Sequence, residues 1–181
     1  GEGKGTWGVR VEDFKLVRQA GSDWNLYPDS YRRIFFKGLP PEQKAEREAY
    51  MRAIVKRFAS RAFRRPAEDR IVEALTRMAL SRNLEEGAKF VDGVKLAVAA
   101  VLTSPRFLFR REAQAEPDNP GKVVPIDQFA LASRLSYYLW SSTPDAELLE
   151  LASKGKLREE LRSQVDRMLS DQKADRMVKN F

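Results

Sequence analysis

The 181-residue chain contains neither cysteine nor histidine. Without cysteine it has no disulfide, no thiolate nucleophile and no thiol to which a haem could be attached. Without histidine it lacks the usual triad base, the imidazole metal ligand and the side chain that titrates near neutral pH. Zinc, copper and haem ligation by their customary residues go with them. Long apolar runs are also scarce. The strongest, residues 96–105, is too short to cross a bilayer, and no secretory leader or transit pattern is present. The chain opens on Gly1 rather than Met, so it is read as a piece of a longer protein with any targeting signal outside it.

What is present suits a folded domain. Hydrophobic residues make up 43% of the chain, ordinary globular usage. The net charge is +7, from 33 Lys+Arg against 26 Asp+Glu. Most of that excess lies in residues 38–65, with 8 basic and 3 acidic side chains. A basic segment of this kind is either a binding surface or a solvated helix face.

Periodicity organises the rest. In residues 6–17, Trp7, Val9 and Val11 alternate with polar positions, which predicts a strand. One or two strands are not stable alone, so this segment reads as the end of an upstream β domain. Residues 21–41 carry Trp24, Tyr27, Tyr31, Phe35 and Phe36 without clear periodicity and are expected to be irregular. From Pro41 onward the pattern is helical. Met51, Ile54, Val55, Phe58, Ala59, Ala62 and Phe63 mark a first helix, which Pro66 should end while opening a second over 68–81. Asn83 and Glu86 resemble a capping box, so a third helix is expected to run from there to Thr103. Its apolar run 96–102 predicts a helix buried on all sides, with Gly87 and Gly93 kept for close packing. Ser104-Pro105 should end it, with Phe107, Leu108 and Phe109 buried behind.

Residues 112–125 are rich in Pro, Asp, Asn and Gly and read as a linker. Asp127 is then a helix cap with Ile126 as its hydrophobic staple. Thr143-Pro144 reads as a second start, and Gly155 as a stop. Leu161, Val165, Met168 and Leu169 make a further apolar face. The fold class is therefore mainly α: a multi-helix bundle with a short N-terminal β segment. Its parts are 1–40 (the end of a β domain and an aromatic linker), 41–111 (a first helical subdomain), 112–125 (a loop) and 126–181 (a second helical subdomain, cut short).

The phrases RAFRRP (61–66) and FVDGVKLAVAAVLTSPRFLFRRE (90–112) resemble one helical domain of unknown function. IDQFALASRLSYYLWSSTPDAEL (126–148) with Gly155-Lys156-Leu157 resembles a second. The two occur in this order in large secreted proteins of planctomycetes, which look like fusions carrying a c-type cytochrome domain and often a carbohydrate-binding-like β domain. The resemblance implies a secreted or periplasmic setting, haem c elsewhere in the parent and no cofactor in this segment. It also implies neighbouring domains of the same polypeptide as partners, with a polysaccharide or a redox protein beyond them. It carries no catalytic residue.

Three groups of side chains have chemical potential. Arg57, Arg61, Arg64 and Arg65 offer guanidinium groups that phosphate or another anion requires, on a basic face running from Arg52 to Arg65. The plainer reading is a charge run at a helix C-terminus, paired with acids such as Glu68, Asp69 or Glu73, and it is preferred. No helix-turn-helix, zinc module or RNP-type motif accompanies the arginines, so nucleic acid is not the expected partner. Trp24, Tyr27 and Tyr31 form a possible stacking surface for sugars or rings, against a plainer role pinning the segment down. Tyr137, Tyr138 and Trp140 are at helical spacing and read as core. The carboxylate pairs Glu85-Glu86 and Glu159-Glu160 are sequence neighbours that point about 100° apart on a helix, so they serve dipoles in first turns rather than acid–base chemistry. No metal set and no activated nucleophile is visible. The expected function is a non-catalytic helical scaffold. A polyanion-binding domain and part of an enzyme completed by other domains remain as alternatives.

Overall fold

A computed structural model of the chain describes residues 24–109, 112, 118–119 and 121–180. Those residues are mainly helical, with nine α-helices, two 3-10 turns and no strand among them. The strand expected over 6–17 lies outside the described residues. The chain divides into two compact units, Gly1–Leu39 and Pro40–Phe181.

In the first unit the segment expected to be irregular contains a 3-10 turn, Trp24–Leu26, and a short helix α1, Asp29–Ile34. Periodicity is too short to reveal such a helix, but local chemistry favours it. Pro28 presets the backbone just ahead of its first turn, and Arg32 pairs with Asp29 one turn away.

In the second unit, α2 (Lys44–Ala62), α3 (Asp69–Arg82) and α4 (Phe90–Leu102) pack on one another. The expected apolar face of α2 is the one used: Met51, Ile54, Val55 and Ala59 are buried, as are Val72 and Ala79 of α3 and Val94, Ala97 and Val101 of α4, the two helices packed against it. Tyr50 stacks on Phe90 with ring centroids 5.9 Å apart.

Two boundaries differ from the sequence reading, while α4 ends at Leu102, just ahead of Ser104-Pro105 as expected. Pro66 neither ends α2 nor opens α3; it sits in a six-residue connection, and Glu68 precedes α3. The third helix starts at Phe90, not Asn83. Residues 83–89 form turns, and the Asp92 carboxylate accepts the Lys89 N–H at 2.9 Å to start α4. Asn83 is the C-cap of α3 rather than an N-cap; its side-chain oxygen accepts the Gly93 N–H at 3.2 Å and ties α4 to the end of α3. Ser104-Pro105 opens a further turn, α5 (Pro105–Leu108), with the Ser104 hydroxyl accepting the Arg106 N–H.

Only one of the two glycines is kept for packing. A Cβ on Gly93 would fall 2.3 Å from the Ala79 carbonyl oxygen, so α3 and α4 approach there as only glycine permits. Gly87 faces open space, and its φ of +73° shows a turn requirement instead. Nor is α4 buried on all sides: Lys95, Leu96, Ala99 and Leu102 are exposed. Leu108 and Phe109, expected inside, are 60% and 66% exposed. The backbone here is held by Arg64, which donates to the carbonyls of Arg106, Phe107 and Phe109, while the Leu108 and Phe109 side chains stay at the surface.

The remaining elements are α6 (Gln128–Trp140), α7 (Ala146–Ser153), α8 (Leu161–Leu169), a 3-10 turn Gln172–Ala174 and α9 (Asp175–Asn180). Asp127 caps α6 as expected, accepting the Ala130 N–H at 2.9 Å. The start of α7 lies two residues further on than expected: Asp145, not Thr143, is the cap, accepting the Leu148 N–H at 2.9 Å. Gly155, at φ +73°, ends α7. The core here is Ala132, Leu139, Trp140, Leu148, Ala152, Leu157 and Met168. Trp140 is its largest member, and its indole N–H donates to the Met168 carbonyl at 2.9 Å. The cations Lys173 and Arg167 lie 4.3 and 5.5 Å from its ring centroid. Tyr138, expected in the core, is 61% exposed because helical rotation carries it to the opposite side from Trp140.

Candidate functional site at the α2–α6 joint

The end of α2 makes a Schellman turn. The Arg65 N–H reaches the Ser60 carbonyl and the Arg64 N–H reaches the Arg61 carbonyl, both at 3.2 Å. The residue at the left-handed position of such a turn is usually glycine; here it is Arg64, at φ +59°. The same turn after α7 uses Gly155. Placing a side chain there directs the Arg64 guanidinium inward. It is only 5% exposed, and its Nη2 donates to the carbonyls of Arg106, Phe107 and Phe109 at 3.1–3.3 Å. Arg65 takes another direction. Its Nη2 lies 3.1 Å from the Asp127 carboxylate, and its guanidinium sits 5.8 Å from the Phe129 ring centroid.

The four arginines of the sequence cluster are thus not one patch. Arg64 and Arg65 turn into the joint, while Arg57 and Arg61 are exposed on α2. Two of the acids expected to pair with them, Glu68 and Asp69, have other partners. Asp69 receives Arg52 at 3.1 Å and Lys56 at 3.4 Å, and Glu68 receives Arg106 at 3.5 Å. The partner of Arg65 is instead Asp127, 62 residues away in sequence.

Behind these arginines lies a cavity of about 530 Å³. Phe63, Pro66, Ile71 and Ala130 give it apolar walls, and Ser133 contributes a hydroxyl. Arg64, Arg65, Arg106 and Arg134 line it against the acids Glu68 and Glu112. Glu112 holds Arg134 through two bonds, 2.6 Å to Nε and 2.5 Å to Nη2, and raises the guanidinium pKa further. At Asp127 burial pushes the carboxyl pKa up, but the Ala130 N–H and the Arg65 guanidinium outweigh it and hold the group below the usual carboxylate range.

The other candidates are spent locally. Trp24, Tyr27 and Tyr31 do come together, but on one another and on Phe35: centroids are 5.5 Å apart for Trp24–Tyr27, 4.8 Å for Tyr27–Tyr31 and 4.3 Å for Tyr31–Phe35. Glu85 and Glu86 lie in the turn between α3 and α4, not in a first helical turn, and Glu85 pairs with Arg82. Glu160 precedes α8 and accepts the Ser163 hydroxyl at 3.0 Å. Among the described residues no group of three or more carboxylates could hold a metal ion, and no helix is long and apolar enough to cross a membrane.

Fold and joint together define the class: two consecutive all-helical segments coupled through arginine at the end of α2. Residues 50–112 match a family model described as protein of unknown function (DUF1595), and residues 126–181 match one described as protein of unknown function (DUF1592). No curated protein and no solved structure matched the chain.

Proposed function

We propose that this chain is a non-catalytic helical scaffold within a secreted c-type-cytochrome fusion protein, docking neighbouring haem and carbohydrate-binding-like domains. The observation that supports this reading is the Arg65–Asp127 pair, which joins the end of α2 in the first matched segment to the start of α6 in the second. Two small helical segments tied through a helix cap keep a set relative position, which is what a spacer between functional domains needs. Haem and substrate chemistry reside in other domains of the parent, and the segment's own contribution is spatial.

The visible absorption spectrum of the full-length parent, purified from the cell envelope, tests this. A Soret band that shifts with reductant is the expected result. A full-length protein without haem overturns the cytochrome setting and leaves only the scaffold.

A further inference from the structure

Three of the four arginines lining the joint cavity have a carboxylate: Arg65 has Asp127, Arg106 has Glu68 and Arg134 has Glu112. Arg64 has none within 4 Å among the described residues, although it is the most buried of the four. Its three acceptors are backbone carbonyls, all reached through Nη2. The N–H groups on Nε and Nη1 have no acceptor among the described residues. A buried cation offset only by peptide dipoles is a costly arrangement, and it normally acquires a counter-ion. The backbone adds to the oddity, since Arg64 holds a left-handed conformation that a glycine would adopt without strain.

We infer that the joint cavity is a binding site for a small organic carboxylate with an apolar body, and that Arg64 is its charge receptor. The charge balance selects the class. Among the described lining residues the three ion pairs cancel and one positive charge remains, which suits a monoanion better than a doubly charged phosphate. Arg106 assists at the rim. Its single bond to Glu68 is long, at 3.5 Å, and both side chains are exposed enough to part. Ser133 offers a hydroxyl with no other hydrogen-bond partner among the described residues. Phe63, Ile71 and Ala130 would cover the apolar part, and a cavity of this size is in the range that holds small ligands.

The test is calorimetric titration of the 181-residue chain at low salt with benzoate, with its neutral isostere benzamide and with inorganic phosphate. One saturable benzoate site is expected, with benzamide weaker by about tenfold or more and phosphate weaker than benzoate. Ser133→Leu, which fills the cavity while leaving every arginine in place, should abolish benzoate binding. If that variant does not fold by circular dichroism, Arg106→Gln at the rim decides instead and should weaken benzoate several-fold. Benzoate binding no tighter than benzamide overturns the charge receptor. Phosphate binding tighter than benzoate overturns the monoanion class. Benzoate binding unchanged in the deciding variant overturns the location.

Discussion

The Arg65 guanidinium and the Asp127 carboxylate meet at 3.1 Å across 62 residues of chain, and the same carboxylate caps α6 through the Ala130 N–H. One side chain therefore does two jobs, starting the second segment and holding it to the first. The two jobs can be separated. Asp127→Asn keeps a capping oxygen but loses the charge, so it should lower stability by about 0.5–1 kcal/mol, the usual value of a half-exposed ion pair. Asp127→Ala loses the cap as well, at about 1 kcal/mol more. Urea unfolding of the three proteins checks this; equal stability of the Asn and Ala variants would show that the cap contributes nothing.

The same carboxylate makes the joint sensitive to acid. Its pKa is lowered on folding, so its contribution is fully present above the unfolded value of about 3.9 and disappears as pH falls through the lower folded value. Stability of the native chain should therefore drop more between about pH 5 and pH 2 than that of Asp127→Asn. Urea midpoints across that range provide the comparison, and parallel curves for the two proteins would remove Asp127 from the acid response.

Arg64 tests whether its side chain outweighs its backbone. Arg64→Gly relieves a left-handed conformation costing about 1 kcal/mol. It also removes the two N–H groups of Nη2, which three carbonyls around α5 share, each hydrogen bond to a charged group being of the order of 1.5–3 kcal/mol. The variant is expected to be less stable by about 2–5 kcal/mol, with faster amide hydrogen exchange in residues 106–109. A glycine variant more stable than the native chain would mean that the carbonyl contacts add nothing.

Gly93 and Gly87 should respond differently to alanine. At Gly93 the new methyl group would collide with the Ala79 carbonyl and with the Asn83 side chain, at 2.3 and 2.6 Å, so α4 must move off α3. A loss of about 2–3 kcal/mol is expected, the upper part of the range for overpacking. At Gly87 there is space, and only the positive φ resists, at about 1 kcal/mol. Thermal melts distinguish them, at roughly 2–4 °C per kcal/mol for a chain of this size.

Trp140→Phe keeps an aromatic ring between Lys173 and Arg167 but leaves the Met168 carbonyl without its indole donor. A loss of about 2–4 kcal/mol is expected from the orphaned acceptor and the smaller ring. Denaturation followed by far-ultraviolet circular dichroism measures it; a cost below about 1 kcal/mol would mean that water replaces the donor.

Most helices were legible because their information is local. The apolar face of α2, the Asp127 cap and the Gly155 stop each depend on residues within one or two turns. The errors came where a local signal had a competitor. Asn83 and Glu86 have capping-box chemistry, but Asn83 is drawn to the Gly93 backbone ten residues on. Thr143-Pro144 resembles a helix start, but Asp145 provides a charged cap two residues after Thr143. Leu108 and Phe109 are apolar, yet a four-residue helix whose carbonyls are turned to Arg64 has no second side to bury them.

The sequence alone determined the helical class, the lack of thiol and imidazole chemistry, and the presence of an arginine cluster near residue 61. Tertiary structure decided what that cluster is. Hydrophobic periodicity is written along the chain, whereas the partner of a charge depends on which distant segment folds beside it. Nothing near Arg65 in sequence points to Asp127, and nothing marks Arg64 as the arginine buried against backbone carbonyls. A left-handed turn at a non-glycine residue sent two adjacent guanidinium groups in different directions, Arg65 to the Asp127 carboxylate and Arg64 to backbone carbonyls.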